Sequence, residues 1–78
     1  MKVYIVCEGI TEFSKAENRI PDAFTPQRIF IDEKDACIRC EAQAIWSFGA
    51  ARHCESPWLW WDADNPRHKV FIKEYEAM

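Results

Sequence analysis

Apolar and polar positions follow two different periods along this chain. From Lys2 to Glu8 they alternate, with Val3, Ile5 and Cys7 on one side and Tyr4 and Val6 on the other. Both sides are apolar, which predicts a strand inside a sheet and not at its edge. Gly9 is the expected end of that strand. Arg28 to Ile31 is a second β-rich run. Trp58 to Trp61 alternates again, with Trp58 and Trp60 on one face and Leu59 and Trp61 on the other. In Lys69 to Glu76, Val70 and Ile72 alternate with Phe71 and Tyr75. Asp62 to Arg67 (DADNPR) has turn composition with Asn65-Pro66 at its centre, so Trp58 to Tyr75 reads as a hairpin.

Between the second and third strands the period changes to that of a helix. The stretch Asp32 to His53 contains no proline and is rich in helix formers. Asp32 suits the N-cap, Asp35 three residues on resembles a short capping-box partner, and Glu33 complements the positive end of the helix dipole. Arg52 and His53 place positive character at the other end, and Ser56-Pro57 forbids continuation. At about 100° per residue, Ala36, Cys37, Cys40, Ala44, Ser47, Phe48 and Ala51 share one side. These are small groups apart from Phe48, which lets the helix lie close on a sheet. A second apolar row, Ile38, Ala42, Ile45 and Gly49, lies roughly opposite. A helix resting on one sheet needs a single stripe, so the second row requires a cover: the Trp-rich hairpin, the long loop or a partner protein.

Ile10 to Gln27 is then a long connection. Asn18, Pro21, Asp22, Thr25 and Pro26 break regular structure, Thr11 to Asn18 has the composition for one or two helical turns, and Phe13, Ile20 and Phe24 are the candidate anchors. The order strand, loop, strand, helix, strand, strand predicts an α+β fold. One long helix packs on a three- to four-stranded, mostly antiparallel sheet in two layers, within one domain.

Composition narrows the function more than it defines it. The chain has 78 residues, 49% hydrophobic and 29% charged, which fits a folded domain with a small core. A formal net charge of −3 argues against a nucleic-acid backbone as main partner. The run Val3 to Cys7 is too short for a signal-peptide core or a membrane span, so the expected location is the cytoplasm, with the four cysteines as reduced thiols.

Cys37-Ile38-Arg39-Cys40 is a C-x-x-C, with twelve residues between Cys40 and His53-Cys54. Cys37, Cys40, His53 and Cys54 are therefore the candidate zinc ligands. A continuous helix from Asp32 to His53 would hold Cys40 and His53 about 20 Å apart along its axis, whereas zinc ligands lie within ~2.0–2.3 Å of the metal. A redox C-x-x-C sits at a helix N-terminus, but Cys37 lies one turn inside, beside Glu33 and Asp35. Asp62, Asp64 and His68 flank a turn without calcium-loop spacing, and such carboxylates more often cap turns. No nucleophile triad, phosphate loop or cofactor motif occurs. The chain is expected to be non-enzymatic, with no cofactor.

The segments KVYIVCEG, IFIDEKDA and VFIKEYE resemble those of short bacterial and phage accessory proteins. In these, a strand enters a helix through F-x-[DST]-x-x-x-A and the chain closes on a strand with a Glu-Tyr pair. The resemblance covers about a third of the chain and carries no catalytic residues. It implies a small protein, often from a mobile element, that works by binding another macromolecule.

The four tryptophans then become the main binding candidates, because tryptophan is enriched at interaction hot spots. The expected binding residues are Trp46, Trp58 and Trp60, with Asp62 and Asp64 beside them and Ile38 and Ile45 on the second row. At least one of Trp58 and Trp60 is expected to be partly exposed. The favoured function is a protein-binding module, as an inhibitor or modulator of a host complex such as a defence system. A small zinc-binding regulatory domain and a homodimer joined through Ile38 and Ile45 are the alternatives.

Overall fold

The computed structural model describes residues 1–10 and 23–76. The elements are β1 (Lys2–Ile10), β2 (Ala23–Phe30), α1 (Glu33–Phe48), β3 (Arg52–Ser56), β4 (Leu59–Asp62) and β5 (Asn65–Glu76), with a 3₁₀ turn at Gly49–Ala51. The strands form one five-stranded sheet in the order β2-β1-β5-β4-β3, every neighbouring pair antiparallel. The fold is α+β, one helix on one sheet. The sheet exceeds the three to four strands expected, because Arg52 to Ser56 forms a strand where a helix end and a break were expected. Two further differences concern the long connection. β1 runs through Gly9 to Ile10, and β2 takes in Thr25 and Pro26. β2 is an edge strand, where a proline leaves no central ladder bond unmade, and the register shifts opposite it. The expected helical turns at Thr11 to Asn18 and the anchors Phe13 and Ile20 lie outside the described residues.

The topology explains where the helix must lie. Alternating antiparallel pairs make the two edge strands, β2 and β3, run in the same direction. The segment joining them has to cross the whole sheet. Five strands about 4.8 Å apart span about 19 Å, and the 16 residues of α1 reach about 24 Å. The helix is thus long enough to bridge both edges, and it touches all five strands.

Close approach follows from the inner stripe. Ala36, Cys40 and Ala44 are fully buried and meet Val6, Val70 and Ile72 of the two central strands. Larger side chains, Tyr4, Phe30, Trp58 and Trp60, ring this centre. A twisted sheet falls away from a straight helix towards its corners, so bulk is needed at the periphery and small groups in the middle. Alternation places Tyr4, Val6 and Glu8 on the helix side of β1. His68, Val70 and Ile72 occupy that side of β5. The other face carries Ile5, Cys7, Lys69, Phe71 and Trp61, in register across β1, β5 and β4. There Phe24 packs edge-on against Phe71 at 5.4 Å between ring centroids, and Lys73 Nζ lies 4.9 Å from the Phe24 ring. Lys69 is buried and its Nζ donates to Pro66 O at 2.6 Å.

The helix begins as its sequence predicts, since Asp32 accepts a hydrogen bond from Lys34 N–H at 2.8 Å. It ends five residues earlier than predicted. Gly49 adopts φ 56°, ψ −130°, a conformation that L side chains strongly disfavour, and its N–H closes on Ile45 O. Arg52 lies in β3, yet its guanidinium donates to Gly49 O at 2.9 Å. The positive group read as part of the last turn therefore caps the helix from the next strand.

Asp32→Ala should cost about 1 kcal/mol in urea unfolding, the usual value of an N-cap. Gly49→Ala should cost at least about 1 kcal/mol from backbone strain alone, because a Cβ there meets no atom within 4 Å. An unchanged denaturation midpoint for Gly49→Ala would refute the strained turn.

Candidate functional site

Core positions on α1 recur at Ala36, Cys40, Ala44 and Phe48, so Ile38, Ala42, Ile45 and Trp46 must face away from the sheet. Trp46 is 85% exposed, Ile38 61% and Ile45 45%, and Ala42 is exposed beside them. Among the described residues nothing covers this row. Arg39 and Gln43 flank it on the side nearer β2; Lys34 and Glu41 flank the other. Gln27 of β2 faces Arg39, Gln43 and Trp46 across a cleft of about 420 Å³. The Arg39 Nε–H is shut off from solvent and has no hydrogen-bond partner among the described residues. A buried, unpaired donor costs about 1–3 kcal/mol.

The hairpin tryptophans are placed differently from that surface. Trp58 and Trp60 are half-buried and pack against the core beneath α1. Trp58 meets Tyr4 edge-on at 5.7 Å, and its indole N–H donates to Glu33 at 3.0 Å. Both stay partly exposed, but they roof the core side of the helix and do not lie under the outer row. Asp62 accepts from Asp64 N–H at 2.8 Å, which closes the β4–β5 turn. The two aspartates are thus turn-forming, and neither lies on the outer face of α1.

A polar cluster that motif reading missed sits between helix and sheet. Glu8 Oε1 accepts from Gln43 Nε2 and from Ser47 Oγ, each at 2.8 Å. Glu8 Oε2 lies 2.6 Å from His68 Nε2, and the His68 ring packs edge-on against Phe48 at 4.9 Å. His68 therefore serves Glu8 and does not join Asp62 and Asp64. Burial pushes the Glu8 carboxyl up, but the hydrogen bonds from Gln43, Ser47 and His68 and the charge on His68 outweigh it and hold the carboxyl below its usual range. The signal was present in the alternation Tyr4-Val6-Glu8, which turns Glu8 inward. Gln43 and Ser47 are one turn apart on the helix, where they can meet one carboxylate. Because Ser47 bonds to Glu8 and not to the imidazole, the cluster has a clamp's connectivity.

The candidate zinc ligands divide between two faces. Cys37, Cys40 and Cys54 lie on the helix side, where Cys37 and Cys54 line a groove with Trp60. His53 pairs with Trp61 on the opposite face, ring centroids 4.2 Å apart. The expected separation along one helix is replaced by separation through the sheet. Among the described residues no three His, Cys, Asp or Glu side chains converge to hold a metal ion. Burial, reinforced by the neighbouring thiols, pushes Cys40 up to about 12. Cys7, Cys37 and Cys54 are also raised, chiefly by burial. No helix among the described residues is long and apolar enough to cross a membrane. No family model, curated protein or solved structure matches this chain.

Glu8→Gln should destabilise the fold by about 1.5–3 kcal/mol, the range for hydrogen bonds to a charged group. The folded carboxyl is more acidic than its ordinary value of 4.5. Its stabilisation is therefore complete above that value and lost as pH falls through the lower folded one. Wild-type denaturation midpoints should fall over this window, and those of Glu8→Gln should fall less; parallel curves would exclude Glu8 as the source. Alkylation of native protein followed by mass spectrometry should modify exposed Cys54 first and spare buried Cys7 and Cys40 until denaturant is added. Early modification of Cys40 would contradict its packing.

Proposed function

We propose that the chain is a non-enzymatic protein-binding module that docks through the outer face of α1. The observation that carries this reading is Trp46, 85% exposed on the same face as Ile38 and Ile45. A large ring left in water on a rigid helix is a hot-spot residue type awaiting a pocket. Its neighbours make an i, i+4, i+7, i+8 pattern, the spacing with which a helix enters a partner's groove.

Contact area favours a different protein over a second copy. Two such stripes, each about 24 Å long and about 10 Å wide, would bury only a few hundred Å² per copy, below the roughly 800 Å² per partner of a standard interface. A groove that closes around α1 also reaches Arg39 on one flank and Lys34 and Glu41 on the other. In its narrower form the proposal makes the partner a host complex that the chain inhibits or modulates; the sequence resemblance implies only the binding of another macromolecule. A zinc-dependent role has no convergent ligand set to support it among the described residues.

Capture from a host lysate, followed by affinity measurement with the identified partner, tests the site. Trp46→Ala should weaken binding by about 30-fold or more, equivalent to about 2 kcal/mol, and Ile45→Glu should abolish it. Both variants should keep the wild-type circular dichroism spectrum, because neither side chain enters the core. Full binding by both variants would move the site elsewhere. A wild-type dimer in light scattering that Ile45→Glu dissociates would replace the reading with self-association.

A further inference from the structure

We infer that the cleft between α1 and β2 is a carboxylate subsite, in which Arg39 receives an acidic side chain of the protein docked on the Ile38–Trp46 row. This inference rests on the docking reading above. The cleft is lined by Gln27, Arg39, Gln43 and Trp46. Gln43 spends its amide N–H group on Glu8 and Ser47, so the donors left for a ligand are the Arg39 guanidinium, the Gln27 carboxamide and the Trp46 indole. Among the described residues no carboxylate lines it. Arg39 forms no ion pair among the described residues, and its Nε–H is withdrawn from solvent without an acceptor. With Nε closed to solvent, the two terminal nitrogens of the guanidinium are left to give a carboxylate two parallel N–H bonds.

The walls are not equally fixed. Gln43 is held by Glu8 at 2.8 Å, so the polar cluster beneath α1 sets one wall of the cleft. Gln27 makes only a 3.5 Å contact to Thr25 O and has room to turn towards a ligand. Among the described residues one guanidinium and no lysine line the cleft, which matches a monoanion; a phosphate dianion gathers several cationic or backbone donors. Trp46 belongs both to the cleft and to the apolar row. An acidic residue beside a partner's apolar anchor would therefore reach Arg39 as the anchor docks.

Acetate is the probe. The full-length ¹⁵N-labelled protein is titrated at neutral pH with sodium acetate, sodium chloride and inorganic phosphate at matched ionic strength. The Arg39 Nε–H and Trp46 indole signals are followed. Acetate should shift both saturably while chloride does not, and Arg39→Gln should reduce the Trp46 response about fivefold or more with the Trp58 indole unmoved. Equal shifts in chloride, or a Trp46 response that survives Arg39→Gln, would overturn the subsite. Saturation by phosphate at about tenfold lower concentration than acetate would overturn the carboxylate assignment in favour of a phosphorylated ligand. None of these signals depends on the partner, so failure here leaves docking standing, and failure of docking appears separately as full capture by Trp46→Ala.

Discussion

One helix has to close a whole face of a five-stranded sheet, and it can do so only by lying close to the two central strands. The contact of Ala36, Cys40 and Ala44 with Val6, Val70 and Ile72 meets that requirement. Its tolerance is small, because interiors are packed at crystal-like density. A larger residue at Cys40 would lift α1 and open the groove that Trp58 and Trp60 fill. The polar clamp depends on the same approach. Glu8 can reach Gln43 and Ser47 only while the helix sits at this height. The clamp and the small-residue stripe are therefore two expressions of one distance, the first directional and the second steric.

Much of this was legible in the sequence, for definite reasons. The inner stripe, the outer row and the Asp32 cap follow from helical spacing and side-chain chemistry, which are local properties. The helix end was not legible. Arg52 and His53 look like a basic last turn, but Gly49 turns the chain first, and Arg52 reaches back to the helix from β3. Edge strand β3 is short, exposed and polar, so it carries no hydrophobic alternation to read. Length and burial of β2 were hidden by Pro26, a breaker that an edge strand accommodates. Alternation groups Trp58 with Trp60 on one face, but composition could not tell which face would meet the core or which side of α1 they would meet.

The candidate surface differs from the core in what it asks of the chain. Positions at Ala36, Cys40 and Ala44 are constrained by volume and those at Glu8 and His68 by hydrogen bonding. Ile38, Ala42, Ile45 and Trp46 answer to neither constraint within the described residues. Polar substitution there should be neutral or favourable for the isolated fold, since exposed apolar groups contribute little to stability.

The sheet order also bears on how the molecule is made. β1 and β5 lie side by side, with Lys2 opposite Glu76, so the middle of the sheet joins residues from opposite ends of the sequence. Closing a loop of that length has a high entropic cost before any of its contacts form. Folding should therefore be slow for a chain of this size, as expected when non-local pairings dominate. On a ribosome, β1 must wait for β5 while the β3–β4 hairpin is already complete. An amphipathic helix with its small-residue stripe uncovered is exposed during that interval, which is when a chaperone would first encounter it.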